Sequence, residues 1–257
     1  MRQWTKTDQR PGRIAFEASG LAWLAEAGPQ GAKVVRVLES SPTRLREEHL
    51  VSAPPTRTAA EDFGRALART HAAGASHLGA PPPGYTGAGW MGEAPLPLLD
   101  EEATGSWGAF YAEHRLLPYV KGAPFTSADR IAIDRLCERL ASGELDHSQP
   151  ALVSRSGRAA RTHGDLWSGN VMWTEGGAVL IDPAAQGGHA EEDLAALGLF
   201  GCPHLERILA AYDEASPLEA GRAERVDLHR LHILFVHAFL FGGAYVGDCM
   251  RIVRRFA

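Results

Sequence analysis

Residues 162–170 read Thr-His-Gly-Asp-Leu-Trp-Ser-Gly-Asn, and the stretch closes at 180–183 with Leu-Ile-Asp-Pro. Asp165 precedes Asn170 in an Asp-x-x-x-x-Asn pattern, and Asp182 follows on a strand-like run. A carboxylate, an amide and a second carboxylate in this order form the set that phosphoryl transfer uses. The first Asp accepts the proton of the acceptor hydroxyl, while the Asn and the second Asp hold Mg²⁺ against the nucleotide phosphates. All-oxygen ligands of this kind suit Mg²⁺ rather than zinc. Positioning and charge neutralisation supply most of the rate in such chemistry.

A hairpin must bring these residues together. Val171–Trp173 and Ala178–Ile181 are β-type runs, and Thr174-Glu175-Gly176-Gly177 between them has turn chemistry. Symmetric folding sets Trp173 opposite Ala178 and Val171 opposite Leu180, so Asp182 lands beside Gly169 and Asn170. Pro183 biases Asp182 toward an extended backbone and ends the pairing. The competing reading, in which Asp165, Asn170 and Asp182 merely cap turns, suits an isolated Asp-x-x-x-x-Asn. The flanking His-Gly and Ile-Asp-Pro favour the phosphoryl-transfer set.

The remaining elements are coarser. Gln3–Thr7 is extended, and a helical pattern runs from Arg13 to Ala27, stopped by Gly28-Pro29-Gln30-Gly31. Strands are expected at Lys33–Leu38 and Leu45–Val51, and Ala53-Pro54-Pro55 reads as a linker. Helices are expected at Ala59–Ala73, with Phe63, Leu67 and His71 or Thr70 on one side, at Trp107–Tyr119, and at Ser127–Leu140 with Ser127 as N-cap. Gly79–Pro97 is rich in Gly and Pro and reads as loop; Leu152–Asp182 reads as short strands and turns. Helix returns at Glu191–Phe200, Pro203–Glu214 and Ala220–Arg254. The pattern predicts a small strand-containing unit at 1–55 and a larger, mainly helical unit at 56–257.

Composition bounds the function. The 257 residues are 45% hydrophobic and 22% charged with a net charge of -5, which excludes wholesale disorder and argues against a general nucleic-acid coat. Three dispersed cysteines without a CxxC pair point to reduced thiols and a cytoplasmic setting. The apolar stretch Leu231–Val246 contains His232 and His237 and is too short for a membrane span, so a buried helix is expected. His229, His232 and His237 do not have the spacing of a metal-binding face. His163 reads as a residue that organises the loop around Asp165.

The segment HGDLWSGN, with Trp167-Ser168 inside the loop, resembles the fructosamine kinases (ketosamine-3-kinases), part of the wider aminoglycoside-phosphotransferase and choline-kinase group. The resemblance continues through Leu180–Gly201, Ala210–Gly221 and Leu240–Tyr245, and upstream in Gly64–Gly74 and Trp107–Pro118. It implies an α+β, protein-kinase-like fold of two lobes. It also implies transfer of the ATP γ-phosphate to the sugar of a ketosamine, whose phosphorylated adduct decomposes and frees the amine. By position Asp165 would be the base, Asn170 and Asp182 the Mg²⁺ ligands, and Lys6 with Glu17 the pair that grips the nucleotide phosphates. Trp167 would help shape the sugar site or serve as a packing aromatic. Residues Glu47–Val51 would offer backbone to adenine. Small molecules are the expected partners, with neither nucleic acid nor membrane.

Two departures qualify the resemblance. The family places strands and a glycine-containing turn before the Lys, whereas Lys6 stands near the start of the sequence. A start downstream of the true one, a fragment, or a natural short form would each explain this, and each leaves an exposed sheet edge. Ala190 stands where the family usually has Arg. The alternatives to a ketosamine kinase are an aminoglycoside-type or other hydroxyl phosphotransferase, and a non-catalytic kinase homologue.

Overall fold

The structure is a computed structural model and describes residues 3–257 apart from Thr104 and Arg158. The chain opens with β1 (Gln3–Thr7), α1 (Arg13–Ala25), β2 (Lys33–Val34), β3 (Val37–Ser41) and β4 (Arg44–Glu48). It continues through α2 (Arg57–Ala72), β5 (Gly89–Met91), β6 (Ala94–Leu96), α3 (Trp107–Tyr111), α4 (Leu117–Val120), α5 (Ser127–Ala141) and α6 (Ala151–Ser156). The last part holds β7 (Ala160–Thr162), β8 (Val171–Thr174), β9 (Gly177–Leu180), β10 (Gln186–Gly188), α7 (Ala190–Leu197), α8 (Leu205–Ala215), α9 (Arg222–Phe241) and α10 (Ala244–Phe256). The fold is mixed α and β, with a mainly helical C-terminal part.

β1, β4 and β3 form an antiparallel sheet in that order, with Lys6 opposite Leu45. α1 lays Ile14 and Leu21 against Leu45, Val35 and Val179, so the first helix packs on both this sheet and the β8–β9 hairpin. The strand expected at Lys33–Leu38 divides. Lys33 and Val34 pair in parallel with Val179 and Leu180, whereas β3 pairs with β4. The crossing is at Val35 and Arg36: Val35 N–H donates to Leu180 O at 3.0 Å, and Glu48 N–H to Arg36 O at 3.0 Å. Satisfying the backbone of both sheets in turn ties the first sheet to the hairpin that carries Asn170 and Asp182.

The helical part is built around two apolar clusters. Phe63 and Leu67 of α2 meet Ile208 and Tyr212 of α8 together with Leu166, Trp173 and Leu180. Gly64 allows that close approach, because a Cβ there would run into the Ile208 carbonyl. Tyr111, Leu116 and Tyr119 join Leu136, Leu231, Phe235 and Ile252 in the larger cluster.

Several boundaries differ from the sequence expectation. Thr126, not Ser127, caps α5, in a capping box with Asp129. Gly79–Pro97 contains the β5–β6 hairpin, with Trp90 opposite Pro95; a two-stranded ribbon tolerates Pro because its outer edge needs no donor. Ala151–Ser156 is helical rather than extended. The expected continuous helix at Ala220–Arg254 breaks at Gly242 and Gly243, whose φ values of 57° and 58° favour glycine. The apolar run is buried core from Leu231 to Ala238 but not to Val246 as expected, since Phe241 is exposed and the helix ends there; among the described residues no helix is long and apolar enough to cross a membrane. Cys137, Cys202 and Cys249 are free thiols.

Candidate active site

The hairpin has the predicted register, Val171 opposite Leu180 and Trp173 opposite Ala178. Ile181 N–H donates to Asn170 O at 3.1 Å, which brings Asp182 to the base of the loop. Asn170 Nδ2 donates to Asp165 O at 2.7 Å, to Asp165 Oδ2 at 3.1 Å and to Asp182 O at 3.4 Å. The three residues therefore converge as the spacing implied. Asp182 departs in one respect: its φ is 54°, left-handed rather than extended. Hydrogen bonds on either side of its Cα override the bias from Pro183, since Ile181 O accepts from His163 Nε2 at 2.9 Å and Asp182 O from Asn170.

His163 organises this loop. Its Nδ1 accepts from Asp165 N–H at 3.3 Å while Nε2 donates to Ile181 O, so both ring nitrogens are spent on backbone. Burial holds its pKa below the ordinary histidine value. Asp193 braces the same loop from α7. Its carboxylate accepts from His163 N–H at 2.7 Å and Gly164 N–H at 3.0 Å, and lies 3.1 Å from His71 Nε2. His71 in turn meets the Tyr212 hydroxyl at 2.8 Å. Gly164 sits at φ 81°, and a Cβ there would strike the Ala184 carbonyl. The loop is thus held on two sides, by Asp193 of α7, itself backed by His71 of α2, and by the Ile181 carbonyl just past β9.

Burial pushes the Asp165 carboxyl up to about 7, with Asp182 and Asp193 adding to the rise and the Asn170 amide opposing it. A carboxylate poised near neutrality suits a general base. Asn170 has spent Nδ2 on Asp165 and Asp182, so its Oδ1 end is the one available to a cation. Oδ1 of Asn170 and the carboxylates of Asp182 and Asp165 are hard oxygen donors, and both nitrogens of the nearest imidazole are occupied; this set fits Mg²⁺.

Lys6 reaches the same point from β1. Its Nζ lies 2.6 Å from Glu17 Oε1 and 3.4 Å from Glu47 Oε2, and contacts Asp182 directly. Burial works against the ammonium, but the Glu17 and Asp182 carboxylates outweigh it and raise the Lys6 pKa. Glu47 is a residue that sequence reasoning assigned only to the adenine strand. Its carboxylate is 96% buried and burial raises its pKa, so it adds a third acidic group around Lys6. Register alone could have found it, since Glu47 neighbours Leu45, the partner of Lys6.

Three adjoining clefts open here. One of about 320 Å³ is lined by Val35, Leu50, Met172 and Ile181 together with Lys6, Asp182 and residues 47–49. A second, of about 300 Å³, lies between Lys6, Glu17, Asp165, Asn170 and Asp182. The third, of about 320 Å³, has Asp165 at its edge and Trp167, Phe200, His237, Phe241 and Tyr245 around it. Trp167 is 37% exposed and meets Phe200 edge-on at 5.9 Å. Phe200, Phe241 and Tyr245 were not singled out from the sequence, because single aromatics at distant positions carry no spacing signal. Ala190 is fully buried, and Arg225 of α9 forks onto its neighbour Glu191 at 2.7 and 2.9 Å.

The sequence profile of the fructosamine kinases matches residues 7–257. A protein from Thermus thermophilus named a probable ketoamine kinase is 31% identical over 253 residues, spanning 97% of this chain and 84% of that one. Alignments to several other ketoamine kinases cover about half of those proteins. A candidate fructosamine-3-kinase from Thermobifida fusca, solved as a crystal structure, superposes with a TM-score of 0.85 at 38% identity, covering 98% of this chain and 84% of that one. A gentamicin-bound aminoglycoside phosphotransferase shares the fold alone, with a TM-score of 0.55 at 12% identity over 99% of this chain and 84% of that one.

Proposed function

The chain belongs to the fructosamine kinase family, a phosphotransferase family with a kinase-like fold, and from that premise we propose that it transfers the γ-phosphoryl group of ATP to a sugar hydroxyl of a ketosamine. The observation that carries this reading is the shared position of Asp165, on the edge of both the polar cleft and the aromatic one.

In this reading adenine lies between Val35, Leu50, Met172 and Ile181. Lys6, steadied by Glu17, meets the α- and β-phosphates. Asn170 and Asp182 would hold Mg²⁺, which neutralises phosphate charge when bound. The ketosamine sugar lies against Trp167, and its hydroxyl points to Asp165. Asp165 takes the hydroxyl proton as the oxygen attacks the γ-phosphorus, and the leaving group is ADP. His163 and Asp193 hold the loop so that the carboxylate meets the hydroxyl in line with the phosphate. The freed amine after decomposition of the phosphorylated adduct makes the activity a form of deglycation.

The test is phosphoryl transfer from Mg-ATP to a fructose–lysine adduct, beside an aminoglycoside and the Asp165→Ala variant. The expected result is transfer to the ketosamine that falls by about 10²–10⁴-fold in the variant. A loss of less than tenfold would remove Asp165 from the role of base, and preference for the aminoglycoside would replace the acceptor.

A further inference from the structure

Three histidines far apart in sequence meet at the start of α7. His147 comes from the segment between α5 and α6, His189 caps α7, and His229 lies on α9. Their ring centroids stand 4.6, 4.8 and 4.9 Å apart. Each offers a nitrogen, and the three nitrogens lie within 4.8 Å of one another. We propose that His147, His189 and His229 form a site for one divalent metal ion of the zinc class. The spacing that discounted His229, His232 and His237 as a metal-binding face still holds; His229 finds its partners through the fold instead.

The geometry is close to what an ion would impose. Imidazoles radiating tetrahedrally from a bond of about 2.0–2.1 Å hold their centroids about 5 Å apart. His147 Nδ1 bonds Leu145 O at 3.0 Å, which fixes the proton there and turns the Nε2 lone pair inward. That nitrogen meets His229 Nε2 at 2.7 Å, and Glu191 Oε2 lies 3.6 Å from the same His229 atom. Glu191, whose two oxygens are held by Arg225, lies beside His229 but outside the three-nitrogen group, so a water would complete a four-coordinate shell.

Two ring nitrogens in the cluster, His189 Nε2 and His229 Nδ1, are buried without a hydrogen-bond partner. Uptake of an ion would employ the first. His189 would move its proton from Nε2 to Nδ1 and give up the 3.2 Å bond from Glu191 N–H. His229 would move its proton to Nδ1; this residue also borders a void of about 10 Å³. All three rings stay neutral, so no proton is released. Burial keeps His189 and His229 in that neutral form. Trp107 closes one side, with ring centroids 4.7 Å from His147 and 4.9 Å from His229. A cavity of about 370 Å³ bordered by His147, His189 and Trp107 gives the ion a way in. An ion there would pin the start of α7, the helix whose Asp193 braces the catalytic loop.

The experiment is titration of chelator-stripped protein with Zn²⁺ and with Co²⁺, in excess Mg²⁺ to occupy the carboxylates near Asp182. One equivalent should bind. Co²⁺ should give the visible absorption of a four-coordinate nitrogen-rich site, and Zn²⁺ should raise the melting temperature. His147→Gln, on a part-exposed segment, should abolish the Co²⁺ band while circular dichroism reports an intact fold; His229→Gln provides a second check. Failure of the wild-type protein to bind a stoichiometric ion overturns the site. So does a Co²⁺ band that persists in His147→Gln.

Discussion

Lys6 and Asp182, 176 positions apart, are in direct contact, and Glu17 at 2.6 Å completes the bridge between the first sheet and the hairpin. The ammonium therefore neutralises the carboxylate that we propose as a Mg²⁺ ligand. Bound nucleotide would bring both a cation for Asp182 and phosphates for Lys6, exchanging one set of pairings for another. Lys6→Met should lower kcat/KM for ATP by about 30-fold or more, the scale for truncating one member of a close charge pair. Steady-state kinetics with ATP varied checks this, and an unchanged kcat/KM would separate Lys6 from nucleotide binding.

Asp193 satisfies two backbone N–H groups and an imidazole while fully enclosed. Asp193→Ala leaves His163 N–H and Gly164 N–H buried without partners. A loss of about 3 kcal/mol or more is expected, since each hydrogen bond to a charged group is worth about 1.5–3 kcal/mol. Denaturant unfolding measures it directly; a loss below about 1 kcal/mol, the net worth of a single ordinary hydrogen bond, would mean that water replaces the carboxylate.

Gly169 lies beneath the Trp167 indole, and a Cβ there would run into the ring. Gly169→Ala should displace the indole and raise KM for the sugar acceptor while leaving KM for ATP nearly unchanged. Trp167→Ala should do the same. Equal effects on both substrates would return Trp167 to the status of a packing aromatic.

His232 predicts a pH dependence of stability. Burial, with Arg115 adding to it, holds its pKa well below the ordinary value in the folded protein. Unfolding restores a value of about 6.5, so below that pH the unfolded chain binds more protons and stability falls as pH falls. Asp165 and Glu192, both pushed up to about 7 by burial, act in the opposite direction. The difference between variants isolates the histidine. The melting temperature of His232→Leu should fall less than that of wild type between about pH 7.5 and about pH 5.5. Parallel curves would contradict the assignment.

Local pattern carried the reading furthest where a short stretch of chain holds all the partners. The register of β8 and β9, and with it the approach of Asn170 to Asp182, follows from a turn between two alternating runs. The role of His163 was also readable, because its bonds go to residues 165 and 181. Caps and breaks were less so. Thr126 and Ser127 are equally good capping residues by type, and the α9–α10 break depends on two glycines that a continuous apolar pattern hides. The left-handed backbone of Asp182 was unreadable, since Pro183 argues for the opposite.

The sequence by itself determined the hairpin, the approach of Asp165, Asn170 and Asp182 to one another, and the kinase-like family, because turn chemistry and strand alternation act between neighbours. Tertiary structure alone decided what surrounds them. Glu47 closes on Lys6 through strand pairing, Asp193 reaches the loop from another helix, and Phe200, Phe241 and Tyr245 line one cleft with Trp167. The same holds for the meeting of His147, His189 and His229. These contacts join positions tens of residues apart, and only the packing of a shared core selects which distant side chains come within reach.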